Sequence, residues 1–213
     1  MSFDSIAPAY RGLEWIVFGQ TLQRARTGLL RNLRSPQRAL IVGEGDGRFL
    51  TEFVQWFPGA KVDCVDASKR MLKIARKRLL RGNPSALVNV NFICADVVRW
   101  EPGSVRYDLI VTNFLLDCFN AVALPVVIGK LAAMSSSDSQ WLVADFQIPA
   151  SGFARIVGCA LVATMYAFFR SVARIRATRL IDPATALRIH GFRPDERASF
   201  LGGIVVTEIW SRD

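Results

Sequence analysis

The sequence predicts an α/β fold, in which helices cover both faces of a doubly wound, mostly parallel sheet of seven strands. Three observations support this prediction. Short apolar runs alternate with helical segments through the middle of the chain, a glycine-rich turn follows the first run, and acidic residues follow later ones. Consecutive parallel strands need a crossover connection, usually a helix, so this alternation is typical of a parallel sheet.

The first predicted unit covers residues 39–59. The apolar run at residues 39–42 is long enough for a buried strand, and Gly43, Gly45 and Gly47 follow it on alternate positions. Apolar residues then recur at helical spacing until Pro58-Gly59 ends the run. Glycine allows positive φ and close approach of a ligand, and the amides at a helix start favour electronegative groups. This strand, turn and helix are typical of a nucleotide-binding sheet.

The later elements are predicted from their boundaries. Ser68 is a suitable N-cap for a helix at residues 69–81, and Asp182 and Pro183 open a helix that Gly191 ends. Residues 135–139 are expected to form a loop. A terminal hairpin is expected to turn at Gly202-Gly203 and to add an antiparallel strand at one edge. The other expected elements are strands at 60–65, 90–94, 107–111 and 141–146 and a helix at 121–134.

The chain is expected to form one domain with four parts: an N-terminal helical lid (1–36), a cofactor-binding core (37–147), an apolar helical insertion (148–181), and a closing helix and hairpin (182–213). The insertion contains 14 uncharged residues, 156–169. As a helix they span about 21 Å, which is short of a bilayer's hydrocarbon core of about 30 Å. We interpret them as a buried helix, a pocket wall or a membrane-surface element.

Composition narrows the possible functions. The chain of 213 residues is 51% hydrophobic and carries a net charge of +9, which suggests either an anionic partner or simply a solvated basic surface. Its single histidine, His190, argues against a Cys/His metal site or a Ser/His/Asp triad there, and we expect no metal. The four cysteines form no CxxC pair and are expected to be reduced core thiols in a cytoplasmic protein. Association of this protein with a membrane surface stays open.

Several motifs resemble those of the class I S-adenosylmethionine-dependent methyltransferases. They are the glycine turn, VDASKRML (65–72), CADV (94–97) and YDLIVTNFLLDCF (107–119), and the resemblance covers residues 38–146. It implies a Rossmann-like sheet and S-adenosylmethionine as cofactor. Asp66, which lies 66 − 47 = 19 residues after the last turn glycine, is expected to bind the ribose, Met71 to pack on adenine and Asp96 to meet its amino group. The full expected cofactor set is Tyr10, Arg26, Gly43, Glu44, Gly45, Asp66, Ala67, Met71, Asp96, Val97 and Asn113.

The ends of the chain resemble the ubiquinone/menaquinone C-methyltransferase branch. FDSIAPAY (3–10) and FGQTLQRAR (18–26) are similar to its lid, and HGFRPDERASFLGGIVV (190–206) to its closing segment. The chain departs from that pattern in three places. Arg11 follows Tyr10 where the pattern has an acid, Asp117-Cys118 replaces Arg-Asn, and Ile41 replaces the acid at the end of strand one, for which Glu44 or Asp46 could compensate.

The sequence therefore predicts methyl transfer to a small lipophilic or aromatic acceptor, with O-, C- and N-methylation all open. Asp117, Tyr10 and Tyr166 are the candidate catalytic bases, although Asp66, Asp96 and Asp117 could each instead cap the following turn. The expected acceptor pocket contains Phe114, Phe119, Phe146, Met165, Tyr166 and Phe169. Two alternatives remain open: an RNA methyltransferase, and a non-catalytic membrane-surface protein that retains the fold.

Overall fold

The computed structural model describes residues 20–101, 103–149, 151 and 180–212. Several sequence predictions fall outside these residues. They concern most of the N-terminal lid with Tyr10, the apolar insertion, Cys159, and the three expected pocket residues Met165, Tyr166 and Phe169. These stay predictions.

Strands and helices alternate along the described chain as expected, except between the third and fourth strands, where residues 95–101 and 103–106 contain no helix. The strands are β1 (Arg38–Val42), β2 (Lys61–Asp66), β3 (Val90–Cys94), β4 (Tyr107–Asn113), β5 (Ser135–Phe146), β6 (Arg193–Phe200) and β7 (Val205–Ser211). The α-helices are α1 (Thr21–Thr27), α2 (Arg48–Trp56), α3 (Lys69–Gly82), α4 (Ala123–Ala133) and α5 (Ala184–Ile189). Short 3₁₀ turns lie at Leu30–Asn32, Pro84–Asn89, Leu116–Cys118 and Leu201–Gly203.

The strands form one seven-stranded sheet in the order β3-β2-β1-β4-β5-β7-β6. Neighbouring strands from β3 to β5 pair in parallel, whereas β7 is antiparallel to both β5 and β6. The predicted fold class is therefore confirmed. The carboxyl ends of the five parallel strands meet at one edge of the sheet, where ligands bind in doubly wound folds.

The hairpin is placed differently from the expectation of one antiparallel strand at an edge. Both of its strands extend the sheet, and β7 lies in the interior between β5 and β6. The burial of β7 explains its position. Val205, Val206, Thr207, Ile209 and Trp210 are all buried, whereas β6 is largely exposed and forms the sheet edge.

The expected loop at 135–139 is wrong, because these residues begin β5. The run is polar and lacks the apolar alternation of a strand. Pairing holds the two ends of this run. Ser135 lies opposite Tyr107, an irregularity follows, and pairing with β4 resumes at Gln140 opposite Leu109, while the Ser139 carbonyl accepts from the Arg212 N–H at 2.9 Å. Gln140 is 4% exposed, and its side-chain oxygen accepts from the Arg34 N–H at 2.8 Å. A tertiary hydrogen bond therefore replaces the apolar contact that the sequence lacks.

Two hydrophobic cores cover the two faces of the sheet. The first joins β1 and β2 to α2 and α3, and its largest buried side chains include Phe49 and Phe53. The second joins β4 and β5 to α4 and α5 around Trp141 and Phe192, whose rings meet edge to face at 5.4 Å. Successive residues of β1 enter the two cores alternately, as expected for a central strand.

The predicted helix boundaries are largely confirmed. The Ser68 hydroxyl accepts from the Met71 N–H at 3.1 Å and caps α3, and the Asp182 carboxylate accepts from the Ala184 N–H at 2.9 Å at the start of α5. Gly191, with φ +84°, ends that helix. His190 lies beside Gly129 of α4, away from the carboxyl edge of the sheet, which supports its interpretation as a structural residue.

The cysteines only partly match the expected core thiols. Cys64 is buried, Cys118 is half-buried and Cys94 is exposed, and all three are free. Cys94 is the last residue of β3 at the carboxyl edge, where the strand ends and its side chain is exposed. Within the described ranges, no helix is long and apolar enough to cross a membrane, and no group of three or more His, Cys, Asp or Glu side chains is arranged to hold a metal ion.

Gly47 determines how closely α2 approaches α3, and this generates a stability prediction. A Cβ at Gly47 would lie 2.5 Å from the Ala75 Cα, whereas one at Gly45 would meet nothing within 4 Å. Both glycines have positive φ, so alanine at either costs about 1–2 kcal/mol of left-handed strain. Gly47→Ala should therefore lower the free energy of unfolding by about 1–3 kcal/mol more than Gly45→Ala, because it also overpacks the helix contact. Denaturant unfolding checks this, and equal losses would contradict it.

Candidate cofactor site

The glycine turn between β1 and α2 is open on one side. Gly43, Gly45 and Gly47 have φ values of +72°, +71° and +85°, which only glycine adopts at low cost. Gly43 is packed from within, because a Cβ there would lie 2.9 Å from Leu115 Cδ1. Gly45 instead has no neighbour within 4 Å of a Cβ position. The turn therefore leaves room for a ligand to approach the backbone at Gly45.

Asp66, at the end of β2, is fixed against this turn. Its Oδ2 accepts from the Gly45 N–H at 2.9 Å, and its Oδ1 accepts from the Ser68 N–H at 2.8 Å. A carboxylate has about four lone-pair positions, so Asp66 can accept further hydrogen bonds while these two hold it in place. Met71, one turn into α3, is 5% exposed, and Ala67 lies between Asp66 and the Ser68 cap.

Glu44 and Asp46, the two candidates for the missing strand-one acid, have different environments. Asp46 is held by Arg48 at 3.1 Å and by Arg78 at 2.9 Å. Glu44 Oε1 accepts from the Leu50 N–H at 3.0 Å in α2. Its Oε2 is buried, and no hydrogen-bond partner for it occurs in the described part of the chain. Glu44 is therefore the acid that retains acceptor capacity.

Burial raises the pKa of Glu44 to about 8, and the Leu50 N–H and the charge of Arg26 oppose that rise. Arg26 extends from α1, where its guanidinium carbon lies 5.1 Å from the centroid of the Phe114 ring. Gln23, one turn earlier in α1, donates to Glu52 and to the Arg48 carbonyl. Its Oε1 is buried, and the described residues provide no donor to it. The α1 helix thus adds polar groups near the glycine turn.

Asn113, the last residue of β4, is 8% exposed. Neither its Oδ1 nor its Nδ2 has a hydrogen-bond partner in the described ranges. A buried amide without partners costs free energy, so Asn113 indicates that a polar group from elsewhere completes this position. The next residue, Phe114, has φ +54°, and its ring lies 5.1 Å from that of Phe146.

Asp96 and Val97 follow β3 on the other side of Asp66. Asp96 Oδ1 accepts from the Val98 N–H at 3.0 Å. Asp96 therefore caps the turn that follows it, which is the alternative role that the sequence left open. Val97 is 6% exposed and belongs to the second core. The Ala95 N–H donates to the Asp66 carbonyl at 3.1 Å, which holds the two strand ends together.

Asp117 lies in the 3₁₀ turn after β4, and its N–H donates to Asp145 Oδ2 at 3.1 Å. Burial raises the pKa of Asp117 to about 6. Burial, and then the neighbouring Asp117 charge, raise the pKa of Asp145 well above its usual value. Our sequence prediction missed Asp145. Its available signal was its position as an acid at the end of an apolar strand, the same signal that identified Asp66.

The expected acceptor residues are divided between two clusters. Phe114 and Phe146 pack with Leu22 and Ala25 of α1 at the carboxyl edge. Phe119 is 7% exposed and packs in the second core. Phe114 and Phe146 therefore lie together, while Phe119 is surrounded by core residues.

The buried Glu44 carboxyl generates a pH prediction. Its folded pKa of about 8 exceeds the ordinary 4.5, so above pH 4.5 the unfolded chain has released a proton that the folded chain keeps. The contribution of Glu44 to the free energy of unfolding is therefore fully present below pH 4.5 and is lost as the pH rises to 8. Between pH 6 and 8 the wild-type unfolding free energy should fall by about 2 kcal/mol relative to Glu44→Gln.

Denaturant unfolding at several pH values measures this difference. Glu101→Gln is the matched control, because the Glu101 side chain is 91% exposed, and its stability should follow the wild type at every pH. Parallel wild-type and Glu44→Gln curves would contradict the placement of Glu44.

Comparison with known proteins finds similarity to methyltransferases over part of the chain. A family model described as a methyltransferase domain matches residues 39–137. A malonyl-[acyl-carrier protein] O-methyltransferase of Halalkalibacterium halodurans is 41% identical over 81 residues, which are 37% of this chain and 28% of that protein. The chain thus spans less than a third of the length of this curated relative.

Solved structures share the fold over almost the whole chain. An O-methyltransferase family protein from Burkholderia thailandensis aligns with a TM-score of 0.71 at 16% identity, covering 97% of this chain and 59% of that one. A second structure is the 1,6-didemethyltoxoflavin-N1-methyltransferase of the same organism, solved with 1,6-didemethyltoxoflavin and S-adenosylhomocysteine. It aligns with a TM-score of 0.68 at 17% identity, covering 98% of this chain and 85% of that one. Together with the glycine turn, the strand-end acids and the strand order, these similarities support the resemblance to the class I S-adenosylmethionine-dependent methyltransferases that the sequence motifs indicated.

Proposed function

We propose that the protein uses S-adenosylmethionine to methylate a small lipophilic or aromatic acceptor. The observation that carries this proposal is the pairing of the open glycine at position 45 with Asp66, whose carboxylate is fixed by the Gly45 and Ser68 N–H groups. A ribose has two neighbouring hydroxyl donors, and a fixed carboxylate beside an accessible backbone suits them. The match of residues 39–137 to a methyltransferase domain supports the same cofactor.

The unpartnered polar atoms fit the other end of this cofactor. An amino acid zwitterion offers three ammonium donors and a carboxylate acceptor. Gln23 Oε1 and Asn113 Oδ1 are buried acceptors that no described residue satisfies, and Asn113 Nδ2 is a donor in the same situation. Glu44 Oε2 is also unpartnered, and an ammonium beside it would favour the ionised, accepting form of this carboxyl. Arg26 supplies positive charge near Glu44. We assign Glu44, Asn113 and Arg26 to the methionine end, and Met71, Asp96 and Val97 to the adenine end.

When bound, S-adenosylmethionine supplies an electrophilic methyl group on a sulfonium centre. The chain itself must hold the two reactants in line and exclude water. Phe114 and Phe146, packed on α1, give the carboxyl edge an apolar wall beside Asn113. Such a wall with few polar groups favours an aromatic or lipophilic acceptor.

The related proteins are compatible with more than one acceptor atom. The Halalkalibacterium relative is named an O-methyltransferase and the Burkholderia enzyme an N1-methyltransferase. We therefore propose O- or N-methylation of a small molecule as the general activity. The resemblance of the chain's ends to quinone-precursor C-methyltransferases stays a prediction.

Removing the Asp66 carboxylate should weaken cofactor binding. Hydrogen bonds to a charged group contribute about 1.5–3 kcal/mol each, so Asp66→Ala should raise the Kd for S-adenosylhomocysteine by roughly tenfold to 100-fold. Isothermal titration calorimetry on protein shown to be folded by its thermal transition measures this. Asp138→Ala is the matched control, since the Asp138 side chain is 75% exposed. An unchanged affinity in Asp66→Ala would contradict the ribose assignment.

Filling the space at Gly45 should also impair binding without unfolding the protein. A methyl group there meets no protein atom within 4 Å, so Gly45→Ala is expected to fold and to occupy the volume that the ligand needs. We expect at least a tenfold rise in the Kd for S-adenosylhomocysteine, equivalent to about 1.4 kcal/mol. Gly59→Ala is the control, because a Cβ at Gly59 also meets nothing within 4 Å. Equal affinities in both variants would show that the ligand lies elsewhere.

A further inference from the structure

Asp117 and Asp145 form a carboxyl pair at the ends of β4 and β5. The Asp117 N–H donates to Asp145 Oδ2 at 3.1 Å, and the Phe146 N–H donates to Asp145 Oδ1 at 3.0 Å. Cys118 Sγ donates to Asp117 Oδ1 at 3.5 Å. The backbone of the 3₁₀ turn therefore holds the two acids in contact.

Two adjacent carboxyl groups with little access to water do not both ionise readily. Burial, and then the charge of Asp117, raise the pKa of Asp145 well above its usual value, so the pair carries one proton and one negative charge over a range of pH. The neighbouring titratable group is Cys118, and burial raises the pKa of its thiol well above 9.0. Cys118 thus remains a neutral donor, and the charge stays on the pair.

The unpartnered amide that we assign to the methionine end of the cofactor also lies at this corner. Asn113 ends the strand from which the Asp117 turn departs, and it pairs in register with Ala144, the residue before Asp145. It is 8% exposed, and neither polar atom of its amide is satisfied by a described residue. The aromatic pair Phe114 and Phe146 adjoins Asn113 and Asp145 along the chain. The carboxyl pair therefore lies beside an unpartnered buried amide and beside an apolar wall formed by Phe114 and Phe146.

We propose that the Asp117–Asp145 pair accepts the proton of the methyl acceptor, with Asp117 as the base and Asp145 as its positioning partner. This inference rests on the proposed function. The acceptor oxygen or nitrogen forms a bond to the methyl carbon, and the carbon–sulfur bond breaks with its electron pair remaining on sulfur. The acceptor's proton goes to the pair, whose charge changes from minus one to zero, and it is later released to water.

The pair also defines the acceptor class. A base is required when the methylated atom carries an O–H or N–H proton that becomes acidic as the new bond forms. A base works best when its pKa is near the working pH, and burial places that of Asp117 at about 6. The acceptor is therefore a phenol, another hydroxyl compound or an amine, bound against an aromatic wall.

The first test follows the pair directly. Protein with ¹³C-labelled aspartate carboxyl groups, saturated with S-adenosylhomocysteine, is titrated by NMR alone, with phenol, and with anisole, the methyl ether of phenol that lacks the donor. Phenol should lower the first midpoint of the coupled pair, because its O–H favours the ionised form, and anisole should not. In Asp145→Asn the coupling should disappear. Two independent midpoints near 3.8, or equal responses to phenol and anisole, would overturn the proposal.

The second test measures transfer. Wild-type protein should convert phenol to anisole or aniline to N-methylaniline, and Asp117→Asn should do so at least about 100-fold more slowly with its Kd for S-adenosylhomocysteine unchanged. Asp138→Asn is the control for loss of an acid. Equal rates in Asp117→Asn, or cofactor binding without transfer to either probe, would overturn the acceptor assignment. Failure of the wild type to bind S-adenosylhomocysteine would instead refute the proposed function itself.

Discussion

The structure depends on the Asp66 carboxylate, which joins the turn after β1 to the start of α3. One oxygen binds Gly45 and the other binds Ser68, so a single side chain sets the distance between two strand ends. Around it, the Gly43 N–H donates to the Val65 carbonyl at 2.8 Å, and Gly47 lets α3 approach closely. Without this fixed carboxylate, neither the open face of Gly45 nor the cap of α3 would keep its present position.

The carboxyl edge is acidic although the chain is basic. Glu44, Asp66, Asp96, Asp117 and Asp145 all follow strand ends on one edge, in a chain with a net charge of +9. S-adenosylmethionine carries positive charge on its sulfonium and its ammonium. An edge of acids and unpartnered acceptors therefore complements the proposed cofactor, whereas the arginines and lysines elsewhere need no ligand to account for them. Charge separation within the molecule thus carries more functional information than its net charge.

Local signals were sufficient to predict much of this arrangement. The Ser68 cap, the acid that ends β2 and the glycine turn each depend on neighbours within a few residues, so the sequence displays them. Three features depended on distant contacts and were not predictable in that way. The polar start of β5 pairs with β4 at Ser135 and then only from Gln140 onwards. Strand β7 enters the sheet interior because both of its faces are covered. Asp145 gains its significance only from the Asp117 turn, whose N–H donates to it. Glu44 was predicted only in part. The sequence identified it as a candidate acid, but the burial of its unpartnered oxygen depends on tertiary contacts.

A crystal structure with S-adenosylhomocysteine bound is the most direct measurement of the central claim. The account predicts ribose hydroxyls within hydrogen-bond distance of Asp66, the amino acid end against Asn113 and Glu44, and the sulfur directed towards the corner occupied by Phe114 and Asp117. Density for the nucleoside at any other edge of the sheet, or a ribose that makes no contact with Asp66, would contradict it.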